Sequence, residues 1–299
     1  MRTPEPDRAI YVVVPVRNRL PITRACLETL GAQSLSHTVV VVDDGSSDGT
    51  PEMVASDFPH VVLLRGDGNL WWTGATNRGV AWVLDRCRSD DLVVTLNDDT
   101  LLPPNYLQLL TSPSASDPRS LVGSVAVKVG EPDVILDGGV RVDWWRAKFI
   151  GVPPGQTLIE TFPHRGLRDV DVLSGCGTLI AVRAFRELGL YNARRLPHYG
   201  ADYEFSRRAA RAGYRLVVNT AAVLERRDST GIHAAVGSAR PDTLVRSFVS
   251  RRSATNLAMR VNFGLLAAPR RVLVPFLVCD LGRVVLGSLR RFIRRAPLR

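Results

Sequence analysis

Short apolar runs alternate with polar loops over the first hundred residues. Four runs rich in valine and leucine lie at 9–16, 38–42, 61–64 and 92–96. Uninterrupted runs of this length are typical of strands buried on both faces of a parallel sheet. Helical spacing follows between them, most clearly over 21–31 and 75–87. This alternation predicts an α/β fold with a right-handed, mostly parallel, doubly wound sheet.

The pattern is less regular after residue 100. We expect a helix from Pro103 to Leu110 and a helix from about 202 to 212. Further β structure is expected at 121–127, 172–181, 214–218 and 222–225. Glycine and proline interrupt the stretch 134–166, and helical spacing returns over 244–259 and 273–289.

Acidic residues follow two of the predicted strands. Asp43 and Asp44 end the second run, and Asn97, Asp98 and Asp99 end the fourth. Ligands of parallel α/β sheets bind beyond the carboxyl ends of the strands. Neighbouring carboxylates repel one another, and a divalent cation such as Mg²⁺ or Mn²⁺ relieves that repulsion. A solvated turn is the alternative, because these residue types also favour turns.

The positive charge is concentrated at one end of the chain. The net charge is +10, yet the segment 240–299 carries thirteen arginines against two aspartates, so that the first 239 residues sum to −1. A basic segment of this kind indicates nucleic acid or an anionic membrane as partner. No nucleic-acid motif accompanies it, and we expect no nucleic acid to bind.

Cysteine spacing argues for a reducing compartment. The four cysteines are far apart and form no CxxC pair, which favours neither a disulfide framework nor a zinc site. The polar opening of the chain does not resemble a signal peptide, and we expect a cytoplasmic location.

Four ordered motifs resemble those of the family 2 glycosyltransferases with the GT-A fold. They are Val12–Arg19 (VVVPVRNR), Val41–Thr50 (VVDDGSSDGT), Gly68–Gly79 with its Gly-Asn-Leu and Asn-Arg-Gly ends, and Leu96–Thr100 (LNDDT). The resemblance covers about residues 9–230 and is closest to bacterial rhamnosyl- and galactosyl-type transferases of surface polysaccharides. It implies a catalytic domain over 1–239, with a nucleotide-sugar half at 9–100 and an acceptor half at 101–239.

The resemblance also implies which residues bind the donor. Pro15, Arg17 and Asp44 match the positions that hold the nucleotide base and ribose. Trp72, Asn77 and Asp98 are the other donor-side candidates. The tandem Trp71 and Trp72 are unusual, and we expect one to pack and the other to contact the donor.

A metal site is implied at the Asn-Asp-Asp segment. It matches the DxD element of the family, in which the last acid meets a cation on the donor diphosphate, so Asp99 is the expected ligand for Mg²⁺ or Mn²⁺. The chain departs from the pattern by placing Asn97 first. Glu225, Asp228 or His233 could complete the site, and we select His233.

The catalytic base is expected at 198–208. There the family carries a Glu-Asp pair whose Asp is the base, and Asp202 matches it, with Glu204 as a second acid. Ala201 replaces the usual Glu. Carboxylates at a helix start are also stabilised by the helix dipole, which is a purely structural explanation.

Together with the resemblance, these observations predict an inverting glycosyltransferase that moves a sugar from a nucleoside diphosphate sugar to a saccharide acceptor, which we expect to be lipid-linked. The segment 240–299 is predicted to form an amphipathic helical extension on the inner face of the membrane, or else to pack on the domain or form a homodimer. The rival functions are a nucleotidyltransferase on a similar sheet and a non-catalytic nucleotide-sugar binder.

Overall fold

The first half of the chain forms the parallel part of one large sheet. The computed structural model describes residues 8–115, 117–153, 155–227 and 241–295. Its first elements are β1 (Ile10–Val16), α1 (Leu20–Gly31), β2 (Thr38–Asp43), α2 (Thr50–Asp57), β3 (Val62–Arg65), α3 (Trp71–Leu84) and β4 (Leu92–Thr95). Strand β1 lies between β2 and β4, and β3 lies beyond β2, all in parallel. The predicted strand–helix alternation is confirmed here, and α3 begins four residues earlier than expected.

The second half adds strands of both directions to the same sheet and forms one separate two-stranded sheet. Its elements are β5 (Thr100–Leu101), α4 (Tyr106–Thr111), β6 (Ser120–Lys128), β7 (Glu131–Asp137), β8 (Arg141–Asp143), β9 (Lys148–Ile150), α5 (Leu158–Thr161), β10 (Leu167–Asp169), β11 (Thr178–Ala181), α6 (Val182–Leu188), α7 (Ala201–Arg211) and β12 (Arg215–Arg226).

The order of the main sheet is β10-β12-β6-β11-β4-β1-β2-β3, with β5 paired to β12 and β7 to β6. Strand β11 runs antiparallel to both β4 and β6, so the sheet is mixed. The two short runs expected at 214–218 and 222–225 are one strand, β12, whose pairing with β6 shifts register between Asn219 and Val223. Helix α6 was not predicted from the sequence.

Three helices follow the sheet, and the last two of them share its core. They are α8 (Pro241–Val249), α9 (Leu257–Ala267) and α10 (Leu273–Arg295). Phe263, Ala267 and Phe276 are buried in the same apolar cluster as residues of β1, β2 and α7. The single helix expected over 244–259 is interrupted, because the Asn256 side chain caps the start of α9 by accepting the N–H of Met259.

Helix α10 has two different faces. Phe276, Asp280, Val284 and Ser288 are buried at four-residue spacing, which places them on one side. Arg260 of α9 pairs with Asp280 at 3.2 Å on this side. The other side exposes apolar residues: Val274, Val278, Leu286, Leu289 and Ile293. By length and composition residues 270–290 could cross a bilayer, which the sequence analysis did not expect, although the buried face already packs on protein.

The approach of α3 to the sheet depends on a glycine. A Cβ at Gly79 would lie 2.4 Å from Cγ1 of Val13 and 3.1 Å from Cγ2 of Val42, both fully buried in β1 and β2. Protein interiors are packed so densely that these valines could move aside only at a cost in stability. Only glycine therefore permits this helix-to-sheet distance.

We expect Gly79→Ala to lower the free energy of unfolding by about 1–3 kcal/mol, because the methyl group overpacks the core. The matched control is Gly31→Ala at the end of α1, where nothing lies within 4 Å of the added Cβ. That variant should be neutral or stabilising by about 0.4–1 kcal/mol. Urea denaturation of both variants measures the difference, and equal stability of the two would contradict this account of packing.

Candidate active site

The carboxyl ends of β1, β2, β3 and β4 meet at one edge of the sheet, because the four strands are parallel. The loops after them contain most of the residues that the sequence singled out. Pro15 lies in β1 opposite Val42 and is partly exposed, and Arg17 follows just beyond the strand. Convergence of these loops is the geometry expected of a ligand site in this class of sheet.

Asp44 organises the loop between β3 and α3. Its buried carboxylate accepts hydrogen bonds from the backbone N–H groups of Gly68 (2.9 Å), Leu70 (3.1 Å) and Trp71 (3.0 Å). The Arg17 guanidinium lies 3.7 Å from the same carboxylate and donates to the Gly68 carbonyl. A buried charge of this kind is stable only with such donors. Asp44 therefore fixes the loop that faces the β1 end.

Asp98 and Asp99 lie side by side at the end of β4, and both are almost fully buried. Arg19 Nη1 is 3.0 Å from Asp98 Oδ1 and 3.7 Å from Asp99 Oδ2. The Thr23 hydroxyl is 3.4 Å from Asp98. Burial raises the pKa of Asp98 to about 6, with Arg19 lowering it and Asp99 raising it further. One arginine thus partly compensates two acids.

Trp72 connects the β4 edge to the other half of the site. Its indole Nε1–H donates to Asn97 Oδ1 at 2.9 Å, and its ring packs edge-on against Tyr191. A Cβ at Gly175 would come within 2.3 Å of the indole. The absence of a side chain at Gly175 therefore leaves the room that the indole occupies.

Asp202 lies next to this contact, in the first turn of α7. Its carboxylate accepts the N–H groups of Gly175 (2.8 Å) and Tyr203 (2.9 Å). Burial raises the pKa of Asp202 to about 6, although these N–H groups act in the opposite direction. A carboxylate with its pKa near the operating pH has the property required of a general base.

Glu204 and Asn77 have purely structural contacts among the described residues. The buried Glu204 carboxylate pairs with Arg208 through two bonds of 3.1 and 3.0 Å. The Asn77 amide donates to the carbonyl of Tyr191 at 2.8 Å and accepts its N–H at 3.0 Å. Asn77 fastens α3 to the segment at Tyr191, whereas the Glu204 pair lies within α7 and orients Arg208, which donates to the Leu190 carbonyl. The predicted roles of Glu204 in catalysis and of Asn77 in donor binding remain predictions.

Of the three candidates for a further metal ligand, the structure describes only Glu225. Asp228 and His233 lie outside the described residues, whereas Glu225 pairs with Leu101 where β12 meets β5. In the described ranges no group of three or more His, Cys, Asp or Glu side chains is placed to hold a metal ion. Two adjacent carboxylates nevertheless fit Mg²⁺, which commonly uses one or two carboxylates with substrate phosphates completing its shell.

Arg226 occupies the end of β12, where the resemblance led us to look for a metal ligand. Burial acts to lower the pKa of this arginine, but Cys176, Asp137 and Asp99 outweigh it and raise the pKa. Burial raises the pKa of the Cys176 thiol to about 12, as befits a small packed residue and not a nucleophile. A second guanidinium thus lies near the acidic pair.

Sequence reasoning did not predict the contacts of three residues in this region. Arg19 bridges the two acids, Gly175 makes room for the indole, and His198 packs edge-on against Trp71 with centroids 5.6 Å apart. The Arg17-Asn18-Arg19 loop was recognised, but nothing local distinguishes which arginine reaches Asp98. Only the fold brings residue 175 to residue 72.

Known proteins share both the sequence pattern and the fold. The chain is 27% identical over 216 residues to N-acetylglucosaminyl-diphospho-decaprenol L-rhamnosyltransferase of Mycobacterium tuberculosis, covering 65% of this chain and 68% of that protein. It is 31% identical over 129 residues to the succinoglycan biosynthesis protein ExoO of Rhizobium meliloti, covering 43% and 34%.

A crystal structure of GalNAc-T7 with UDP, GalNAc and Mn²⁺ superposes with a TM-score of 0.60 at 15% identity, over 97% of this chain and 58% of that one. This likeness confirms the expected GT-A fold. The sequence model described as glycosyl transferase family 2 matches residues 11–186, more than half of the chain. With the acids of that matched region gathered at one sheet edge, the chain is a glycosyltransferase and belongs to glycosyl transferase family 2.

Proposed function

We propose that the enzyme transfers a sugar from a nucleoside diphosphate sugar to a hydroxyl of a lipid-linked saccharide, with inversion. The observation that carries the proposal is the contact of Trp72 with both halves of the site. Its indole bonds to Asn97 beside the acidic pair and packs on Gly175, which bonds to Asp202. A donor-side edge and a candidate base are thereby adjacent.

The donor nucleotide would lie over the ends of β1 and β2. Pro15 and Arg17 flank this surface, and Asp44 holds the facing loop. Arg17 is 44% exposed in its side chain, so its guanidinium is accessible to a phosphate or ribose oxygen. The walls of the donor site would be held in place by Asn77, Asp98 and Trp72, which contact Tyr191, Arg19 and Asn97 respectively.

We propose Mg²⁺ or Mn²⁺ as the cofactor, held by Asp99 with Asp98 beside it. GalNAc-T7 was crystallised with Mn²⁺, and the acidic pair supplies the hard oxygen ligands that such ions prefer. His233 stays the proposed further ligand. The ion, when bound, neutralises charge on the departing diphosphate. Arg19 lies 3.0 Å from Asp98 and 3.7 Å from Asp99, so it would share both carboxylates with the ion.

Asp202 would act as the base. Its carboxylate takes the proton from the acceptor hydroxyl as that oxygen bonds to the anomeric carbon, and the nucleoside diphosphate leaves with the electrons of the broken C–O bond. A single displacement of this kind inverts the anomeric centre. Glu204 stays the second candidate, and its ion pair with Arg208 favours an indirect contribution.

Two observations support a lipid-linked acceptor: the name of the Mycobacterium tuberculosis relative and the exposed face of α10. The relative's name specifies a diphospho-decaprenol acceptor. The exposed apolar side of α10, with Arg270, Arg271 and Arg290 near its ends, complements an anionic bilayer at the inner face of the membrane. Each arginine near such a surface contributes about 1 kcal/mol. The buried side of α10 favours a helix lying in the plane of the membrane over one crossing it.

Release of nucleoside diphosphate from a panel of donor sugars tests the proposed reaction. We expect release with one donor class in the presence of Mg²⁺ or Mn²⁺, and its loss in excess chelator or in Asp99→Ala. Pyrophosphate release would instead identify a nucleotidyltransferase, and donor binding without turnover a non-catalytic binder. Full activity of Asp99→Ala, or of the wild type in chelator, would remove the metal role.

We expect Asp202→Asn to reduce kcat about 10²–10⁴-fold with little change in donor KM, because the amide cannot accept the proton. In the wild type, kcat/KM should rise with pH through about 6, since the base works only when deprotonated. The comparison variant is Glu204→Gln, which should lower stability more than kcat. The reverse pattern, measured by initial rates and thermal unfolding, would move the base to Glu204.

The membrane proposal is tested by co-sedimentation with lipid vesicles. We expect binding to phosphatidylglycerol vesicles, weaker binding at high salt, and a clear loss in the double variant Val274→Ser/Val278→Ser. The control is Ile159→Ser on α5, which changes an equally exposed apolar residue outside the three C-terminal helices. Equal binding to neutral vesicles, or equal binding of the two variants, would contradict it. Self-association without lipid would assign the surface to a homodimer.

A further inference from the structure

Arg252 reaches the catalytic domain from the turn between α8 and α9. Its guanidinium carbon lies 5.9 Å from the centre of the Trp71 ring, and Trp71 packs against His198. The Tyr199 hydroxyl lies 3.5 Å from the Arg252 carbonyl oxygen, which anchors the turn at the same place. Arg252, Trp71, His198 and Tyr199, here called the Trp71 cluster, join the C-terminal helices to the active-site edge.

The arginines of the C-terminal helices differ in how their charge is used. Arg260 is paired with Asp280, and Arg283 donates to the carbonyls of Arg146 and Ala147. Arg252 is exposed, and no carboxylate of the described residues lies within ion-pair distance of it. Its guanidinium is therefore held by an aromatic ring while its hydrogen-bond donors stay available.

The charges of Arg252 and Arg19 both act on His198. Burial, followed by Arg252 and Arg19, lowers the pKa of His198 to about 4. Arg19 also contacts the acidic pair at the end of β4, so this field extends to where a diphosphate would lie. Among the described residues, the buried Nδ1 of His198 has no hydrogen-bond partner. Guanidinium groups beside an imidazole match the charge and donor geometry that a phosphate group requires.

The backbone at Trp71 adds an independent observation. Trp71 has φ +58°, a conformation that bulky side chains rarely adopt. Its N–H is held by Asp44, so the loop geometry imposes this conformation. Such outliers concentrate at ligand sites, where the surrounding structure fixes a side chain in a required position. Here the imposed position is the one under Arg252.

We propose that Arg252, positioned by the Trp71 cluster, is a phosphate-binding residue contributed to the active site by the C-terminal helical region. The ligand is a phosphoryl group of one of the two substrates, either the donor diphosphate or the diphosphate of a lipid-linked acceptor. The proposal rests on the proposed function for the identity of those substrates. It adds that the helical region takes part in substrate binding as well as in any contact with lipid.

Calorimetric titration of the full chain tests this with two probes in Mg²⁺ buffer. The probes are nucleoside diphosphates (UDP, GDP and dTDP) and farnesyl diphosphate. Arg252→Ala should weaken one of the two classes about tenfold or more, as expected for loss of a charge-assisted hydrogen bond. Arg252→Lys should recover part of the loss, because it keeps the charge. Arg251→Ala is the matched control, since Arg251 is its exposed neighbour in the same turn.

The two probes separate the sources of the phosphate. Weaker nucleoside diphosphate binding assigns Arg252 to the donor, and weaker farnesyl diphosphate binding assigns it to the acceptor. If Arg252→Ala binds both as tightly as Arg251→Ala, or if the wild type binds neither, the proposal is wrong. Binding does not require turnover, so failure of the proposed reaction in the release assay is a separate result. Thermal unfolding of each variant confirms that it is folded.

Discussion

Burial of carboxylates at one edge of the sheet is the constraint on which the site depends. Asp44, Asp98 and Asp99 are each at most 4% exposed, and an isolated charge at that depth would be strongly destabilising. The surrounding loops therefore take conformations that supply donors. The β3–α3 loop turns its N–H groups to Asp44, and Arg19 folds back over the acidic pair. The buried acids thus determine the conformations of the loops, and the loops form the proposed donor-binding surface.

The strand-end acids were predictable because parallel strands leave little freedom in where their ends lie. The acids Asp43-Asp44 follow one buried valine run, and Asn97-Asp98-Asp99 follow another. The runs predict buried parallel strands, so these acids are expected at the carboxyl-end edge of the sheet. The order of strands beyond β4 was not predictable, since β11 and β12 pair across long sequence separations. The local pattern of apolar and polar residues does not indicate which distant strands pair.

Side-chain roles at the site were harder to derive than positions. Trp71 and Trp72 are identical in kind and adjacent in sequence, yet one bonds to Asn97 and the other lies under Arg252. Helix geometry sends neighbouring residues in different directions, so the choice depends on what each one meets. His198 and Arg252 both reach the Trp71 ring only because α9 packs beside α7, which composition does not reveal.

The space between Trp72 and Gly175 links substitutions that sequence comparison alone would treat as independent. Any side chain at 175 would displace the indole, and the displaced indole would release Asn97 while disturbing the N–H that binds Asp202. A change on the acceptor side would then be felt on the donor side. Residues 72, 97, 175 and 202 should behave as one epistatic unit, so that evolutionary or engineered divergence at any of them is accessible only through compensated, multi-residue steps.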